Sequence, residues 1–592
     1  MSKSHGATGI AWRDWSEEAF KAARSEDKPV LLTLGATWCH WCHVMDETAY
    51  SDPRVIELAN SRFIPVRVDV DQRPDISLRY NQGTYPSVAF LTAEGELLAG
   101  RPYTPADEMA ALLEQISSGE FVGETSRSTI ASGPPTGDGT SASVDAVLGR
   151  LQELYDEEFG GFGLEPKQPP WEALEFLIAR YGLTGDRALL AMVETTLEGM
   201  WHGIYDRKDQ GFFRYAVSRD WKVPHYEKML VSNANLAITY LAAFQITRKS
   251  VYRTAADGIL DHLLTTMFSP DDGLFHASQD ADEPFYQGSW KDRDQGTAPP
   301  VDHTLYAGWN ALAALSVIQA GDVLNRASLR RLGANILDTL WAESWTSSSG
   351  LSRRAGEAKR GEPVLIDQVY FLRAWLAWYQ STGRPEHLNG AVEIARTTQR
   401  LFGAAAGGCY DTTQPSSFEA GFLRREQPVL DNANWAEALL VLSRLTGDET
   451  YADQAAATLQ IFDQIVPGKS YLGDHASRRM EEDEEALFLP AGAAWGRSRS
   501  LLTHGPVSLV LVGDASDPSY RPLHQAALRV HAPHKIVQPL DIERDAERVR
   551  ELGFPLRREA ALYACMGEQC LAPISTAQGV REMARSRPWA TE

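Results

Sequence analysis

The sequence predicts a multidomain chain: an α/β domain, an all-α domain and a small C-terminal α/β segment. At 592 residues it is too long for one hydrophobic core. Short β-forming runs alternate with helical patterns before residue 120, and helical periodicity then dominates to about residue 500. We therefore expect an α/β domain at 1–122, a linker at 123–143, a helical domain at 144–502 and an α/β segment at 503–592.

The composition excludes several classes of function. Hydrophobic residues make up 43% and charged residues 23% of the chain, as in globular proteins. A net charge of -22 repels nucleic acid and anionic membranes, so we expect neither as a partner. The first twenty residues lack the apolar stretch of a signal peptide, which predicts a cytoplasmic protein. Five cysteines are too few for a disulfide scaffold and indicate catalytic or metal-binding roles.

The N-terminal region shows the strand and helix patterns of an α/β domain. Strands are predicted at 29–34 and 62–71, with a hairpin at 86–101; helical patterns lie at 41–60, 73–81 and 105–118. The following stretch, 126–144, is rich in Ser, Gly, Thr and Pro, as linkers are.

The helical region contains an internal repeat. Helix–turn–helix units alternate with loops that carry a glycine beside an aromatic or aliphatic residue, and such units need neighbours to bury their apolar faces. Unequal spacing favours a closed (α/α)6 toroid over an open solenoid; an irregular helical domain is the alternative. The repeat glycines are Gly161, Gly211, Gly273, Gly350, Gly408 and Gly473.

A pair of cysteines in "ATWCHWCH" follows the first predicted strand. Cys39 is expected at a helix N-terminus, where free N–H groups and the helix dipole lower a thiol pKa. Cys42, one turn later, is expected to be the more buried, resolving thiol. His40 between them adds positive character and makes the pair more oxidising. The motif predicts a redox dithiol in which Cys39 attacks and Cys42 resolves.

A proline at the start of a later strand agrees with this interpretation. In thioredoxin-like folds a cis-proline at this place faces the dithiol and receives the substrate backbone, although prolines also open strands for steric reasons. We predict that Tyr85 and Pro86 position substrate, and that Trp38, His40 and His43 tune the pair.

Other interpretations of the cysteines stay open. "CHWCH" matches the attachment pattern of haem c, but neither export nor an axial-ligand pocket is evident. Cys39, Cys42 and His43 could hold zinc, or the pair could be inert. Cys565 and Cys570 could complete a four-cysteine site or form a second thiol pair. We predict neither a metal nor a cofactor.

A toroid would collect polar and aromatic side chains in a funnel at one end. Carbohydrate sites need aromatic rings to stack on sugars and carboxylates or amides to bond hydroxyls, although each such residue also has an ordinary structural explanation. The predicted pocket residues are His225, Tyr226, Glu227, Lys228, Asp280, Asp282, Asp302, His303, Trp309, Asn310 and Asp367.

Two sugar chemistries are compatible with this set. Inverting hydrolysis needs two carboxyl groups about 6.5–9.5 Å apart. Epimerisation needs two acid/base groups on opposite faces of an opened sugar. The candidates are Asp280 or Asp282 with Glu227 or Asp367 for hydrolysis, and His225 with His303 for epimerisation.

Five longer motifs occur along the chain: "WCHWCHVM", "YDEEFGGFGLEPKQPP", "GFFRYAVSRDWKVPHYEKML", "SQDADEPFYQ" and "CMGEQCLAP". Together they resemble the spermatogenesis-associated protein 20-like family, whose members are often described as thioredoxin-domain-containing. The resemblance implies a thioredoxin-like domain followed by an (α/α)6 toroid similar to six-hairpin glycosidases and sugar 2-epimerases. Several polar groups expected in a family pocket are missing at 231–234, 302–311 and 430–440.

Three functions follow as hypotheses. The first is a thiol–disulfide redox protein whose toroid binds a carbohydrate or protein ligand, with a protein disulfide or a reductase as partner. The second is a carbohydrate-active enzyme, like a sugar 2-epimerase or a glycosidase, with a structural thioredoxin-like domain. The third is a non-enzymatic interaction scaffold.

Overall fold

The computed structural model describes residues 9–119, 143–357, 363–416, 418–421, 423–463, 483–567, 569–586 and 589. Nearly all of the predicted linker, and the loop of Gly473, lie outside these ranges. Within them the predicted fold class is confirmed: a thioredoxin-like domain, an (α/α)6 toroid and a small α/β domain follow one another along the chain.

The N-terminal domain alternates strands and helices as predicted. The helical pattern at 41–60 is divided into two helices because Asp52 caps a new one, with Pro53 at its first position. The helices are α1 (Glu17–Glu26), α2 (His40–Glu47), α3 (Pro53–Arg62), α4 (Pro74–Tyr80) and α5 (Ala106–Ser118), and the strands are β1 (Val30–Gly35), β2 (Ile64–Asp69), β3 (Ser87–Leu91) and β4 (Leu97–Arg101).

The sheet of this domain has the strand order β2-β1-β3-β4. Strand β1 pairs in parallel with β2 and antiparallel with β3, and β3 pairs antiparallel with β4. Leu31 of β1 packs into a cluster with α3 and α5, whereas Leu32 and Leu34 face a core that continues into the helical domain. The carboxyl end of β1, where the cysteine motif begins, is therefore turned towards the toroid.

The helical domain is built from long α-helices joined by loops. Its helices are α6 (Val144–Leu154), α7 (Trp171–Thr184), α8 (Arg187–Gly203), α9 (Leu230–Thr247), α10 (Ser250–His262), α11 (Glu283–Gln287), α12 (Trp290–Gln295), α13 (Ala307–Val323), α14 (Ala327–Glu343), α15 (Leu365–Thr382), α16 (Pro385–Phe402), α17 (Val429–Thr446), α18 (Thr450–Ile461) and α19 (Asp483–His504).

Six of these helices form a closed inner ring. Helices α7, α9, α13, α15, α17 and α19 each pack against the next, and α19 packs back against α7. An outer helix pairs with each of them, and the sixth pair joins α19 to α6 from the start of the domain. Helix α13 is buried on almost every side, as expected of an inner helix. The closed ring rules out the irregular and open-solenoid alternatives.

The glycine repeat has a structural cause. Its five glycines in the described residues adopt φ between +66° and +78°, a left-handed conformation that suits glycine. At Gly211 a Cβ atom would also lie 2.8 Å from the ring of His262. In four inner helices the fourth residue is an Asn or Gln whose side-chain amide clamps the preceding loop. The amide oxygen accepts from the backbone N–H, and the amide nitrogen donates to the carbonyl, of a residue one or two positions after the glycine. The clamps are Asn233, Asn310, Gln368 and Asn432.

Short strands lie in the loops that precede the inner helices. Three of them, β7, β10 and β11, pair in the order β11-β10-β7. The strands are β5 (Tyr215–Ala216), β6 (Pro224–His225), β7 (Lys228–Met229), β8 (Phe268–Ser269), β9 (Leu274–Phe275), β10 (Ser278–Gln279), β11 (Val301–Asp302), β12 (Trp345–Thr346) and β13 (Gly350–Leu351).

The C-terminal domain repeats the topology of the N-terminal one. Its strand order, β15-β14-β16-β17, has the same pairing directions as β2-β1-β3-β4, and its helices occupy the same places along the chain. The elements are β14 (Val507–Gly513), α20 (Tyr520–Arg529), β15 (Ile536–Asp541), α21 (Ala546–Glu551), β16 (Ala561–Met566), β17 (Gln569–Cys570) and α22 (Ala577–Ser586).

The two α/β domains lie at opposite ends of the toroid. His524 donates to the backbone carbonyl of Gln380 at the end of α15, and the Gln538 amide donates to that of Leu445 at the end of α17. At the other end, Arg79 of the N-terminal domain pairs with Asp411, in the loop between α16 and α17. The toroid therefore lies between them. In the part of the chain that is described, we find no helix long and apolar enough to span a bilayer.

Candidate functional site

The two N-terminal cysteines form a disulfide at the mouth of the toroid. Cys39 caps α2, as predicted, and its sulfur accepts from the backbone N–H of Cys42 at 3.2 Å. Only 4% of Cys39 and 7% of Cys42 is exposed, so the expectation that Cys42 is the more buried of the two is wrong. The cause is the helical domain, because both cysteines belong to the core cluster that continues into it.

Trp38, which precedes Cys39, contacts one charged residue of its own domain and one of the toroid. Its indole N–H donates to Asp71 Oδ2 at 2.6 Å, and the Arg214 guanidinium of the toroid lies 4.0 Å from its ring centroid. Arg353, also from the toroid, donates to the Asp71 carbonyl at 2.7 Å. Burial and the neighbouring Asp69 raise the pKa of Asp71 to about 7. The residue before Cys39 is therefore bonded to a carboxyl group with a pKa near neutral pH.

The predicted substrate-positioning residues lie next to Trp38. The Tyr85–Pro86 peptide bond is cis, and the Tyr85 ring meets that of Trp38 edge-on at 6.2 Å. The Tyr85 hydroxyl is 2.6 Å from Ser77 Oγ, and burial raises the Tyr85 pKa. His40 lies against Trp41, whose side chain is 47% exposed at the rim.

His43 points at a carboxylate of the toroid. It lies one helical turn after Cys39, and its Nδ1 is 3.9 Å from Asp280 Oδ2. Burial, reinforced by the charges of Glu227, Asp282 and Asp302, raises the pKa of Asp280 to about 7. The sheet β11-β10-β7 brings these four carboxyl groups together, because each lies in or directly beside one of its strands.

A histidine–glutamate pair borders this acidic cluster. His225 Nδ1 is 2.7 Å from Glu227 Oε2, and the imidazole stacks on Tyr215 at 4.7 Å. Within the described residues the second oxygen of the buried Glu227 has no hydrogen-bond partner. Tyr226 stacks on Tyr286 at 5.2 Å.

Two predicted pocket residues are buried in structural contacts. Lys228 Nζ donates to Asp206 at 2.8 Å and to the Gln210 carbonyl at 2.7 Å, and burial lowers its pKa. Asn310 is one of the four loop clamps described above. Neither side chain faces the funnel as a free ligand-binding group.

Three further predicted residues lie in loops around the funnel. Asp282 caps α11 by accepting from a backbone N–H in its first turn. Asp302 accepts from the backbone N–H and the hydroxyl of Thr304. His303 is exposed, and its Nδ1 is 3.1 Å from Nε2 of His276. The structure does not place His303 opposite His225 around a shared partner.

Asp367 and Trp309 lie on the Arg353 side of the site. The buried Asp367 accepts from Arg353 at 2.5 Å, and burial raises its pKa to about 6 despite that partner. Its other oxygen has no partner among the described residues. Trp309 packs against Tyr306, with the Arg353 guanidinium 5.8 Å from its ring centroid.

Sequence reasoning missed Asp71, Arg214 and Arg353, although signals existed for two of them. Asp71 follows β2, the parallel neighbour of β1, and the carboxyl ends of parallel strands meet at one sheet edge. Arg214 lies within one of the quoted family motifs. Arg353 had no such signal, since only the closed ring brings it to the dithiol.

The remaining cysteines lie elsewhere. Cys565 and Cys570 form a disulfide in the C-terminal domain, at the other end of the toroid, so they do not share a site with Cys39 and Cys42. Cys409 is free and buried, and burial raises its thiol pKa to about 12. In the described ranges, no group of three or more His, Cys, Asp or Glu side chains could hold a metal ion.

Comparisons with known proteins agree with this architecture. Residues 2–121 match the family model Thioredox_DsbH, described as "Protein of unknown function, DUF255". A cellobiose 2-epimerase from Spirochaeta thermophila has 15% identity and a TM-score of 0.48 over 60% of this chain and 93% of its own. A family 76 α-mannanase from Bacteroides thetaiotaomicron has 12% identity and a TM-score of 0.44, over 61% and 94%.

A curated relative matches along nearly the whole chain. Human spermatogenesis-associated protein 20 is 24% identical over an alignment of 729 positions, which covers 98% of this chain and 90% of the human protein. The resemblance indicated by the sequence motifs is thus confirmed: homologues named spermatogenesis-associated protein 20 cover 98% of the chain.

Proposed function

We propose that the protein is a cytoplasmic thiol–disulfide oxidoreductase whose dithiol acts inside the mouth of the toroid. The observation that carries this proposal is the placement of Cys39 at the cap of α2, with the adjacent Trp38 bonded to Asp71 and covered by Arg214. A helix N-terminus stabilises a thiolate, and in this proposal the Asp71 carboxyl group, whose pKa is about 7, exchanges a proton with it at neutral pH.

The toroid defines which disulfides can reach the cysteines. Both cysteines are nearly buried, so a folded protein surface cannot press against them as the domains are arranged here. A small disulfide, or an extended segment of a protein substrate, can approach such nearly buried sulfurs more readily. In this proposal the funnel binds the non-reacting part of that substrate, as a carbohydrate or a peptide, and the reductant is a small dithiol that reaches the cysteines by the same route.

The reaction needs no group beyond the two cysteines and an external dithiol. The Cys39 thiolate attacks the substrate disulfide, and the first substrate sulfur leaves as a thiol after taking a proton. Cys42 then attacks Cys39, which releases the second substrate thiol and leaves the Cys39–Cys42 disulfide. A small external dithiol returns two electrons and two protons to the pair and is itself oxidised to a disulfide.

Mass-resolved alkylation across a series of glutathione buffers tests the proposal. The full chain would carry Cys565→Ser and Cys570→Ser so that one cysteine pair remains, with Cys409→Ala as a further control. We expect one reversible two-electron step at Cys39 and Cys42, and at least tenfold faster reduction of hydroxyethyl disulfide than of a folded protein disulfide. A pair that stays oxidised or reduced throughout would overturn the proposal.

A carbohydrate-active enzyme is the second candidate, and one observation favours it. Asp280 has a pKa of about 7 and lies in the same carboxylate cluster as Glu227, which suits an acid and a base of unequal strength. Under this candidate Asp280→Asn abolishes turnover of a sugar substrate and Cys39→Ser does not. Retention of cellular function in both variants would favour the scaffold hypothesis.

A further inference from the structure

The C-terminal disulfide lies in a domain with the topology of the N-terminal one but at a different place in it. In the N-terminal domain the cysteines follow the first strand. In the C-terminal domain the corresponding residues, which follow β14, are "DASDP" and contain no cysteine. Cys565 and Cys570 instead face each other across the hairpin of β16 and β17, at the edge of the sheet.

The two sulfurs of this disulfide differ in exposure, unlike those of the N-terminal pair. Cys565 is 2% exposed and lies near the end of β16, where it pairs with Ser508 of β14, whereas Cys570 is exposed on the edge strand β17. Leu571, the next residue, is 40% exposed. An incoming thiolate can reach only one sulfur, and the other leaves into the protein, as an exchange reaction requires.

We propose that Cys565–Cys570 is a second thiol–disulfide exchange site, which takes electrons from a protein dithiol of the thioredoxin class. A protein reductase can reach the sulfur on this exposed edge strand, and the strand can pair with the extended backbone of the reductase. The N-terminal disulfide is nearly buried and offers neither contact. The exposed Leu571 supplies apolar contact beside the reacting atom.

The exchange balances with one dithiol reductant. Its first thiolate attacks the sulfur of Cys570, the disulfide breaks, and Cys565 leaves as a thiolate that takes a proton. The second thiol of the reductant attacks the mixed disulfide and frees Cys570. The reductant ends as a disulfide, and two electrons and two protons have moved to Cys565 and Cys570.

The test uses the full chain with Cys39→Ser and Cys42→Ser, so its outcome does not depend on the N-terminal pair. Native protein is incubated with thioredoxin and its reductase, alkylated, and analysed by mass. We expect Cys565 and Cys570 to become alkylated while Cys409 stays protected. A pair that is reduced only after denaturant is added would be a structural cross-link, and the proposal would be wrong.

Two single variants on the same background test which sulfur is attacked. Cys565→Ser leaves the exposed Cys570, which should react with Ellman's reagent at least tenfold faster than the buried Cys565 left by Cys570→Ser. In the parent of these two variants, which keeps the disulfide, a thioredoxin that lacks its resolving cysteine should form a mixed disulfide with Cys570 and release Cys565 as a thiol. Equal rates in two variants with matching thermal unfolding would overturn the assignment of Cys570.

Discussion

The two α/β domains share one topology and differ in what surrounds their cysteines. In the N-terminal domain the disulfide follows the first strand and is nearly buried; on the helical side Arg214 lies over the adjacent Trp38, and Asp280 lies 3.9 Å from His43. In the C-terminal domain the disulfide lies on an edge hairpin, with Cys570 in contact with solvent.

This difference shows that the strand order of a domain does not by itself determine where its cysteine site lies. The same arrangement of strands places cysteines at the carboxyl end of a central strand in one domain and on the sheet edge in the other. The toroid covers one cysteine pair and leaves the other partly exposed, and this determines which substrates can reach each pair. The N-terminal pair suits a substrate that enters a funnel, and the C-terminal pair suits a protein surface.

The largest expected effect comes from removing the attacking thiol of the N-terminal domain. Cys39→Ser should lower the rate of hydroxyethyl disulfide reduction at least 100-fold, because a hydroxyl at this position is not a comparable nucleophile. Cys409→Ala, which changes a buried free cysteine of the toroid, should stay within twofold of the parent. Comparable losses of rate in both variants would show that the substitutions damage folding, and would contradict a specific role for Cys39.

Matched core substitutions test how each domain joins the toroid. Leu32 belongs to the core shared with the helices, whereas Leu509 belongs to a separate C-terminal cluster. Each Leu→Ala change should cost about 2–5 kcal/mol of unfolding free energy. Hydrogen exchange should rise in the N-terminal domain and toroid for Leu32→Ala, but only in the C-terminal domain for Leu509→Ala. The reverse pattern would contradict the shared core.

The two domain boundaries also differ in chemistry. Arg79→Ala removes the ion pair to the nearly buried Asp411, and the unpaired carboxylate should cost about 3 kcal/mol. At the other end, Ser508→Ala removes one hydrogen bond from Arg444 and should cost about 1 kcal/mol. Urea unfolding of both variants measures this difference, and equal losses would show that charge does not distinguish the boundaries.

The last expected effect is a dependence on pH at the N-terminal end of the toroid. Asp280 has a folded pKa of about 7, above its usual value, so its ionisation lowers the stability of the folded state as pH rises from about 4 to 7. Asp280→Asn cannot ionise and should be more stable than the parent at pH 8, by on the order of 2 kcal/mol. This gain should fade as the pH falls towards 4.

Asp282→Asn is the control for that prediction. Asp282 caps α11, and asparagine caps helices almost as well, so this change should have little effect on stability at any pH. Thermal unfolding between pH 4 and 8 measures both variants. A gain for Asp280→Asn that is the same at every pH would contradict the raised pKa of Asp280.

Much of the fold could be predicted because local patterns and the family resemblance agreed. The apolar strand before Cys39 and the recurring glycines were visible in the sequence, and the closed ring confirms the toroid that they indicated. The relation between the two α/β domains was not predicted, since strand order depends on pairing between distant segments. Only the coordinates show that β14 and β1 occupy the same place in their sheets.

The candidate site was harder to predict than the fold. Cys39 could be placed from its motif, but its burial comes from a domain hundreds of residues away in sequence. Lys228 and Asn310 have the residue types of a binding pocket, yet their polar atoms are used within the protein. Composition and spacing do not tell a polar group that meets a ligand from one that holds a loop.

The pairing of α6 with α19 has a consequence for biosynthesis. These two helices complete the ring, although residues 144–154 and 483–504 leave the ribosome far apart in time. Until α19 has been synthesised, the apolar side chains of α6 and α7 that pack against it stay exposed. Contacts between segments so far apart in sequence form slowly. The growing chain is therefore most exposed to aggregation, and most in need of chaperones, just before the last hundred residues are made.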